Sequence, residues 1–297
     1  MNKHLLAHLA LFGANLIYGI NYTVAKDVMP MYIEPLGFIL IRVSGAVVLF
    51  WLCFRFFYYQ KIDYKDIGKL ALCSLFGVAI NQMLFFEGLN LTTPINAAVI
   101  MVTNPILVLL FSLFISAEPM TIKKWLGITL GAAGAILLIT NGGKIALSKE
   151  HFLGNSLVFV NAASYAIYLV LVKTLMKKYD PLTVISWVFL FGFFFVLPFG
   201  WSEFHLIKWS AIPSQILGKI LFVVLGTTFL AYLFNIYGLK TLNPSTVSTY
   251  IYLQPVLASA IAIMANSDQL NVIKVSSTIL ICLGVFLVSQ KNRHYQE

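Results

Sequence analysis

The sequence predicts an all-α integral membrane protein, with ten transmembrane helices arranged as two inverted five-helix repeats. Three observations carry that prediction. Hydrophobic residues make up 60% of the chain and charged residues 10%, against roughly 45–50% and 25% in ordinary soluble domains. Apolar stretches of about 20 residues recur between short polar breaks, each long enough to cross a hydrocarbon layer of roughly 30 Å as a helix that satisfies its own backbone. The second half also repeats the first. Tyr18-Gly19-Ile20 with Lys26 returns as Tyr165-Ala166-Ile167 with Lys173, Gly68-Lys69 as Gly218-Lys219, Gly88-Leu89 as Gly238-Leu239, Pro105 as Pro255 and Gly134 as Gly284, at a shift of about 150 residues.

The spans read as 4–25, 36–58, 67–89, 94–116 and 123–141, then 152–175, 182–201, 216–239, 244–266 and 272–290. The first is long, carries Asn15 and Asn21 and lacks the small-residue cleavage pattern of a signal peptide, so it stays as a helix. The second holds Arg42 in its outer part, and the third holds Glu87 near its outer end. In the fourth and ninth, Pro105 and Pro255 sit mid-helix, where each deprives the carbonyl four residues earlier (Met101 or Ile251) of its usual partner and kinks the segment. The fifth presents Gly127, Gly131 and Gly134 as a small-residue face, suited to close packing within the chain or to a dimer contact, so a monomer or weak homodimer is expected. The polar stretch from Asn141 to Glu150 joins a first repeat, 1–143, to a second, 152–297, within one transmembrane domain. Trp201, His205, Trp209 and Pro213 fall in the longest outer connection, as anchors at headgroup level. Cys53, Cys73 and Cys282 lie in spans at unrelated spacings, which indicates neither a disulfide framework nor a metal cluster.

Lys3, Arg55, Lys61, Lys65, Lys69, Lys123, Lys124, Lys177, Lys178, Lys240, Lys291 and Arg293 all fall on the N-terminal side, which places both termini in the cytoplasm of a multi-pass cell (inner) membrane protein. An odd number of spans per repeat makes the second copy enter from the opposite side, so Lys26 lies near the outer mouth and Lys173 near the inner one. The net charge of +9 is spread through short loops, without the basic face that a nucleic-acid partner needs. The chain has no His-Glu-x-x-His pair, no phosphate loop ending in Lys-Ser or Lys-Thr and no Gly-x-Ser-x-Gly elbow, so neither an enzyme nor a cofactor is expected.

At Gly88-Leu89-Asn90-Leu91-Thr92-Thr93-Pro94-Ile95-Asn96-Ala97-Ala98, followed by Asn104-Pro105 and Glu118-Pro119, the chain resembles the EamA-like exporters of the drug/metabolite transporter superfamily. The resemblance covers essentially the whole chain. In the second copy Asp268-Gln269 replaces Glu118-Pro119, and Arg42 has no basic counterpart in helix 7. The resemblance implies export of small metabolites, amino acids among them, through a central cavity lined by the first, third and fourth helices of each half.

The polar residues choose the same helices without the family. Asn15, Tyr18 and Tyr22 share a face of helix 1, as Asn161, Tyr165 and Tyr168 do of helix 6. Thr228, Tyr232 and Asn235 line one side of helix 8, and Thr246, Tyr250 and Gln254 one side of helix 9. Gln82, Asn96 and Asn104 fall opposite Tyr232, Thr246 and Gln254 under the repeat. The expected substrate-binding set is therefore Tyr18, Asn21, Gln82, Asn104, Tyr165, Tyr168, Tyr232, Asn235, Tyr250 and Gln254, whose rings and amides suit a small solute with an apolar part. Any single member can instead serve interhelical hydrogen bonding. For gating or coupling the expectation is Arg42 paired with Glu87, whose protonation offers a route to proton coupling, together with Lys26, Lys173, Pro105 and Pro255. The alternatives are a transporter of a non-amino-acid metabolite or drug, and a channel-like facilitator of small solutes, although the stripes lack a channel's usual ring of charge or carbonyl filter.

Overall fold

The computed structural model describes residues 3–57, 60–115, 121–140, 151–264 and 271–290. The 141–150 join, Glu118-Pro119, Asp268-Gln269 and the side chain of Tyr22 lie outside the described residues. The chain forms α1 (Lys3–Val28), α2 (Pro35–Phe57), α3 (Tyr64–Leu91), α4 (Pro94–Met101 and Asn104–Ile115), α5 (Ile122–Thr140), α6 (Phe152–Leu175), α7 (Pro181–His205), α8 (Ser214–Thr241), α9 (Pro244–Thr249 and Leu253–Met264) and α10 (Val272–Ser289). Among the described residues, all of these but α9 are long and apolar enough by length and composition to span a membrane. In α9 a 3-10 turn at Tyr250–Tyr252 divides the span.

Local chemistry starts several helices in the same way. Pro94 and Pro181 each occupy a first helical turn, where a missing N–H is harmless, behind Thr93 and Asp180, whose side chains accept from Asn96 N and Leu182 N. The helix α7 runs to His205, so Trp201 and His205 belong to its last turns rather than to the connection expected there. Both α3 and α8 loosen into π turns, at Leu75–Ala79 and Val223–Leu230, and these positions correspond under the repeat.

Packing obeys the duplication. α5 packs on α10 and α2 on α7, while α3–α6 is matched by α1–α8 and α4–α6 by α1–α9. Exchanging the halves maps this set of pairs onto itself, as an axis relating two inverted repeats requires. The glycine face of α5 is used within the chain: a Cβ at Gly127 would lie 2.7 Å from the carbonyl oxygen of Gly284, and one at Gly134 2.9 Å from that of Ser277. Gly131 lies against the Tyr252 ring.

The two ends of the bundle differ. On the N-terminal side Lys178 bridges Asp63 and Asp66 at 3.2 and 2.5 Å, and Tyr179 donates to Asp66 at 2.8 Å. There all six residues of Pro244–Thr249 are buried. On the far side Lys219 pairs with Asp27 at 2.5 Å, but the corresponding start of α4 is open, with Thr93 and Pro94 exposed. A space of about 360 Å³ lies there between the far halves of α1, α4, α5, α9 and α10.

Candidate functional site

A central cavity lies where the repeats meet, with about 90 Å³ open to the centres of water-sized molecules and about 700 Å³ of empty space once its mouth is included. It is lined by Asn15, Tyr18 and Asn21 of α1, Arg42 of α2, Asn81, Gln82, Phe85 and Phe86 of α3, Met101 of α4, Asn161 and Tyr165 of α6, Thr227, Tyr232 and Asn235 of α8, and Val247, Ile251 and Gln254 of α9. Met101, Ile251 and Gln254 also line the far-side space, so they form the neck between the two.

Hydrogen bonds across the axis hold the lining in place. Gln82 and Tyr232, mates under the repeat, meet directly: Gln82 Nε2 donates to Tyr232 Oη at 3.2 Å, and that hydroxyl lies 3.3 Å from both the Gly77 carbonyl oxygen and Asn81 Oδ1. A second mated pair meets at the break in α4, where Tyr252 Oη donates to the Val102 carbonyl at 3.2 Å. Gln254 Nε2 donates to Asn15 Oδ1 (2.9 Å), Asn161 Nδ2 to the Asn81 carbonyl (2.7 Å), and Asn235 Nδ2 to the Ala231 carbonyl (2.9 Å) and Tyr18 Oη (3.3 Å). Several lining groups remain buried without a partner: Asn21 Oδ1, Gln82 Oε1, Asn161 Oδ1, Thr227 Oγ1 and NH1 of Arg42.

Of the expected binding residues, Tyr18, Asn21, Gln82, Tyr165, Tyr232, Asn235 and Gln254 line the cavity, and three do not. Tyr250 turns to His8, with its hydroxyl 2.6 Å from Nδ1. Val247, Ile251 and Gln254, at spacings of four and three residues, share the inward face of α9 instead of Thr246, Tyr250 and Gln254. Thr246 reaches the Val288 carbonyl at 3.4 Å. Asn104 is wholly buried and donates to the Ala162 carbonyl at 2.7 Å, and Tyr168 is buried behind Tyr165 against Gly77.

The gating residues also sit differently. Arg42 and Glu87 make no ion pair, because the Arg42 guanidinium lies 4.3 Å from the centroid of Phe86 and Glu87, one position on, points about 100° further round the helix. The charges acting on Glu87 are the carboxylates of Glu203 and Glu34. Lys26 and Lys173 are carbonyl clamps at the ends of α3 and α8: Lys26 Nζ donates to the Asn90 carbonyl at 3.3 Å, and Lys173 Nζ to those of Leu239, Leu242 and Lys240 at 2.6, 2.7 and 3.4 Å. Pro255 lines the far-side space, whereas Pro105 is packed among neighbouring helices. Sequence reasoning passed over Asn81, Thr227, Phe85, Phe86 and Val247 as binding residues, and pointed to Met101 and Ile251 only for the carbonyls that Pro105 and Pro255 free. The π turns that precede Asn81 and contain Thr227 carry no signature in sequence, and the apolar side chains are indistinguishable there from packing residues.

The profile of the EamA-like transporter family matches residues 5–140 and again 152–290. The chain belongs to the EamA-like transporter family. This EamA-like protein is 28% identical over 290 residues to the uncharacterized transporter YyaM of Bacillus subtilis (strain 168), covering 97% of this chain and 94% of that one. It is 25% identical over 274 residues to an uncharacterized transporter of Archaeoglobus fulgidus, covering 92% and 95%. A crystal structure of a protein 18% identical superposes with a TM-score of 0.73 over 95% of this chain and 96% of the other, which shows the fold. The family lies within the drug/metabolite transporter superfamily, and the chain is a multi-pass membrane protein of the transporter class.

Proposed function

We propose that this EamA-like protein is a secondary transporter that exports small organic metabolites, amino acids with apolar or aromatic side chains foremost, across the cell (inner) membrane with both termini cytoplasmic. Transport proceeds by rocking of the two repeats around the central cavity. The observation that carries this reading is the cavity itself, formed at the meeting of the repeats by seven helices drawn from both halves. The unpartnered amide oxygens of Asn21, Gln82 and Asn161 suit an ammonium donor, and Tyr18, Tyr165, Phe85 and Phe86 suit an apolar body. The closed N-terminal side and open far side support a carrier over a channel, because a continuous pore would need both ends open.

Counterflow of a labelled amino-acid panel into proteoliposomes, with and without a pH gradient, tests the reading. Saturable counterflow is expected, with KM raised in Gln254→Ala and unchanged in Tyr250→Phe. Absence of counterflow for every amino acid refutes that substrate class, and flux that never saturates makes the protein a channel. A rate indifferent to the pH gradient rules out proton coupling.

A further inference from the structure

The central cavity is lined by one ionised side chain and no acidic one. Arg42 is 2% exposed, stacks on Phe86 and donates from Nε to Thr228 Oγ1 at 3.0 Å. Those two contacts fix the plane of the guanidinium but leave NH1 buried without an acceptor. Among the described residues no carboxylate lies within ion-pair reach, and the titratable groups acting on the charge are the phenols of Tyr232 and Tyr18. Guanidinium stays protonated under all ordinary conditions. A buried cation without a counter-ion is strongly unfavourable, and ionisable groups inside membrane bundles mark solute pathways for that reason. Its counterpart at the offset that pairs Tyr18 with Tyr165 is Phe189, so the charge lies on one side of the axis only.

We infer that Arg42 is the carboxylate anchor of the central cavity: the solute is an organic acid or zwitterion whose carboxylate accepts from the guanidinium while its apolar body lies against Phe85 and Phe86. This rests on the reading of the cavity as the transport site. The planar fork of Arg matches a carboxylate with two parallel hydrogen bonds, and the stack on Phe86 and the bond to Thr228 pre-orient it. Asn21, Gln82 and Asn161 line the same space, and their amide oxygens are buried without a hydrogen-bond partner. They would take the ammonium of a zwitterion and leave a simple acid with fewer contacts.

The test is binding to the purified full-length protein, read by thermal shift and by isothermal titration, for a library built on matched skeletons. For each skeleton it holds the amino acid, the des-amino acid, the amino-acid amide and the parent amine, beginning with phenylalanine, 3-phenylpropionate, phenylalanine amide and phenethylamine. Binders are expected to carry a free carboxylate, and Arg42→Gln should weaken them by tenfold or more, of order the value of a charge-assisted pair, with Arg42→Lys recovering part of the loss. Thr228→Val keeps the charge but frees the guanidinium, and should weaken carboxylates while leaving the folded fraction by size-exclusion unchanged; it carries the test if Arg42→Gln fails to fold. The proposal is overturned if no carboxylate in the library binds, if amides or amines bind as well as the acids, or if Thr228→Val and a folded Arg42→Gln retain full affinity. Stronger binding of the amino acid than of the des-amino acid identifies a zwitterion site, and equal binding a simple acid site; both keep the anchor. Arg42-dependent binding without counterflow sinks the transport reading alone, and counterflow indifferent to Arg42 sinks the anchor alone.

Discussion

Removing the hydroxyl of Tyr232 tests whether the repeats are joined through their own mates. That hydroxyl accepts from Gln82 Nε2 at 3.2 Å and has two acceptors in reach, the Gly77 carbonyl and Asn81 Oδ1, each at 3.3 Å. With one proton to give, it makes two hydrogen bonds at a time. Interhelical hydrogen bonds in membrane bundles average about 0.6 kcal/mol, with a maximum near 1.7. Two moderately long ones are therefore worth about 1 kcal/mol, and a buried Gln82 amide left without its acceptor adds up to about another 1. Tyr232→Phe should thus lower stability by about 1–2 kcal/mol. Gln82→Leu should cost less, because its Oε1 is already unpartnered and the substitution removes that burden as well. In the double variant the shared bond is lost once only, so the cycle should close with a coupling of about 0.6 kcal/mol. Reversible unfolding in mixed detergent micelles, monitored by tryptophan fluorescence, measures all four corners. A coupling within about 0.3 kcal/mol of zero, the usual additivity of independent sites, would refute the view that the two halves are held by this contact.

The clamps should be unequal: Lys173→Met, which gives up three carbonyl contacts at 2.6–3.4 Å, is expected to lower the unfolding midpoint clearly more than Lys26→Met, which gives up one at 3.3 Å. Gly284→Leu should abolish the monodisperse size-exclusion peak, since α5 and α10 meet there backbone to backbone, whereas Gly218→Ala, with nothing within 4 Å of its Cβ, should be neutral or stabilising by up to about 1 kcal/mol. The N-terminal ion cluster should be insensitive to pH across the physiological range. The backbone N–H of Lys65 and then the ammonium of Lys178 hold the Asp63 carboxyl below its ordinary 3.8, while Asp66 and then Tyr179 hold the Lys178 ammonium above its ordinary 10.5. The Asp63 contribution is present above 3.8 and fades as pH falls through its folded value; the Lys178 contribution is present below 10.5 and fades as pH rises through its own. Stability should be flat from about pH 5 to about pH 9.5 in the natural protein, and a transition inside that window that vanishes in Lys178→Met would contradict the assignment.

How much of this was legible in the chain depended on the kind of signal. Spans and their alternation follow from hydropathy, because hydrocarbon forbids unpaired backbone and leaves the helix as the local solution. The contacts respect that alternation: Asp63 and Asp66 meet Lys178, and Asp27 meets Lys219, at opposite ends of the bundle. Polar faces of α1, α6 and α8 read with a period of 3.6 fell on Tyr18, Tyr165, Tyr232 and Asn235. On α9 the same period fits two adjacent faces, and the inward one is Val247, Ile251 and Gln254 rather than the more polar one, whose Tyr250 meets His8. Charge alone suggests Arg42 as the partner of Glu87, and only the direction of Phe86 on the helix surface shows why that pairing is not made.

The division between what the two halves keep and what they change bears on how such a cavity can work. Correspondence is retained where backbones touch: Gly134 and Gly284 serve the α5–α10 contact, and Gly45 and Gly192 admit Val224 and Val78 side chains at the α2–α8 and α7–α3 approaches. A scaffold alike in both halves can adopt two arrangements of similar energy, one open to each side, which a carrier needs. In the cavity Tyr18 and Tyr165 still correspond, but elsewhere correspondence lapses, with Gln82 opposite Tyr232, Phe85 opposite Asn235 and Arg42 opposite Phe189. A solute site shared by both arrangements must bind in one orientation throughout, and a symmetric lining would offer two equivalent poses. Placing the single guanidinium on α2 alone removes that degeneracy. On the proposed reading the carboxylate would stay on Arg42 as the access changes, beside the neck that Met101 of α4 and Ile251 of α9 form between the cavity and the far-side space.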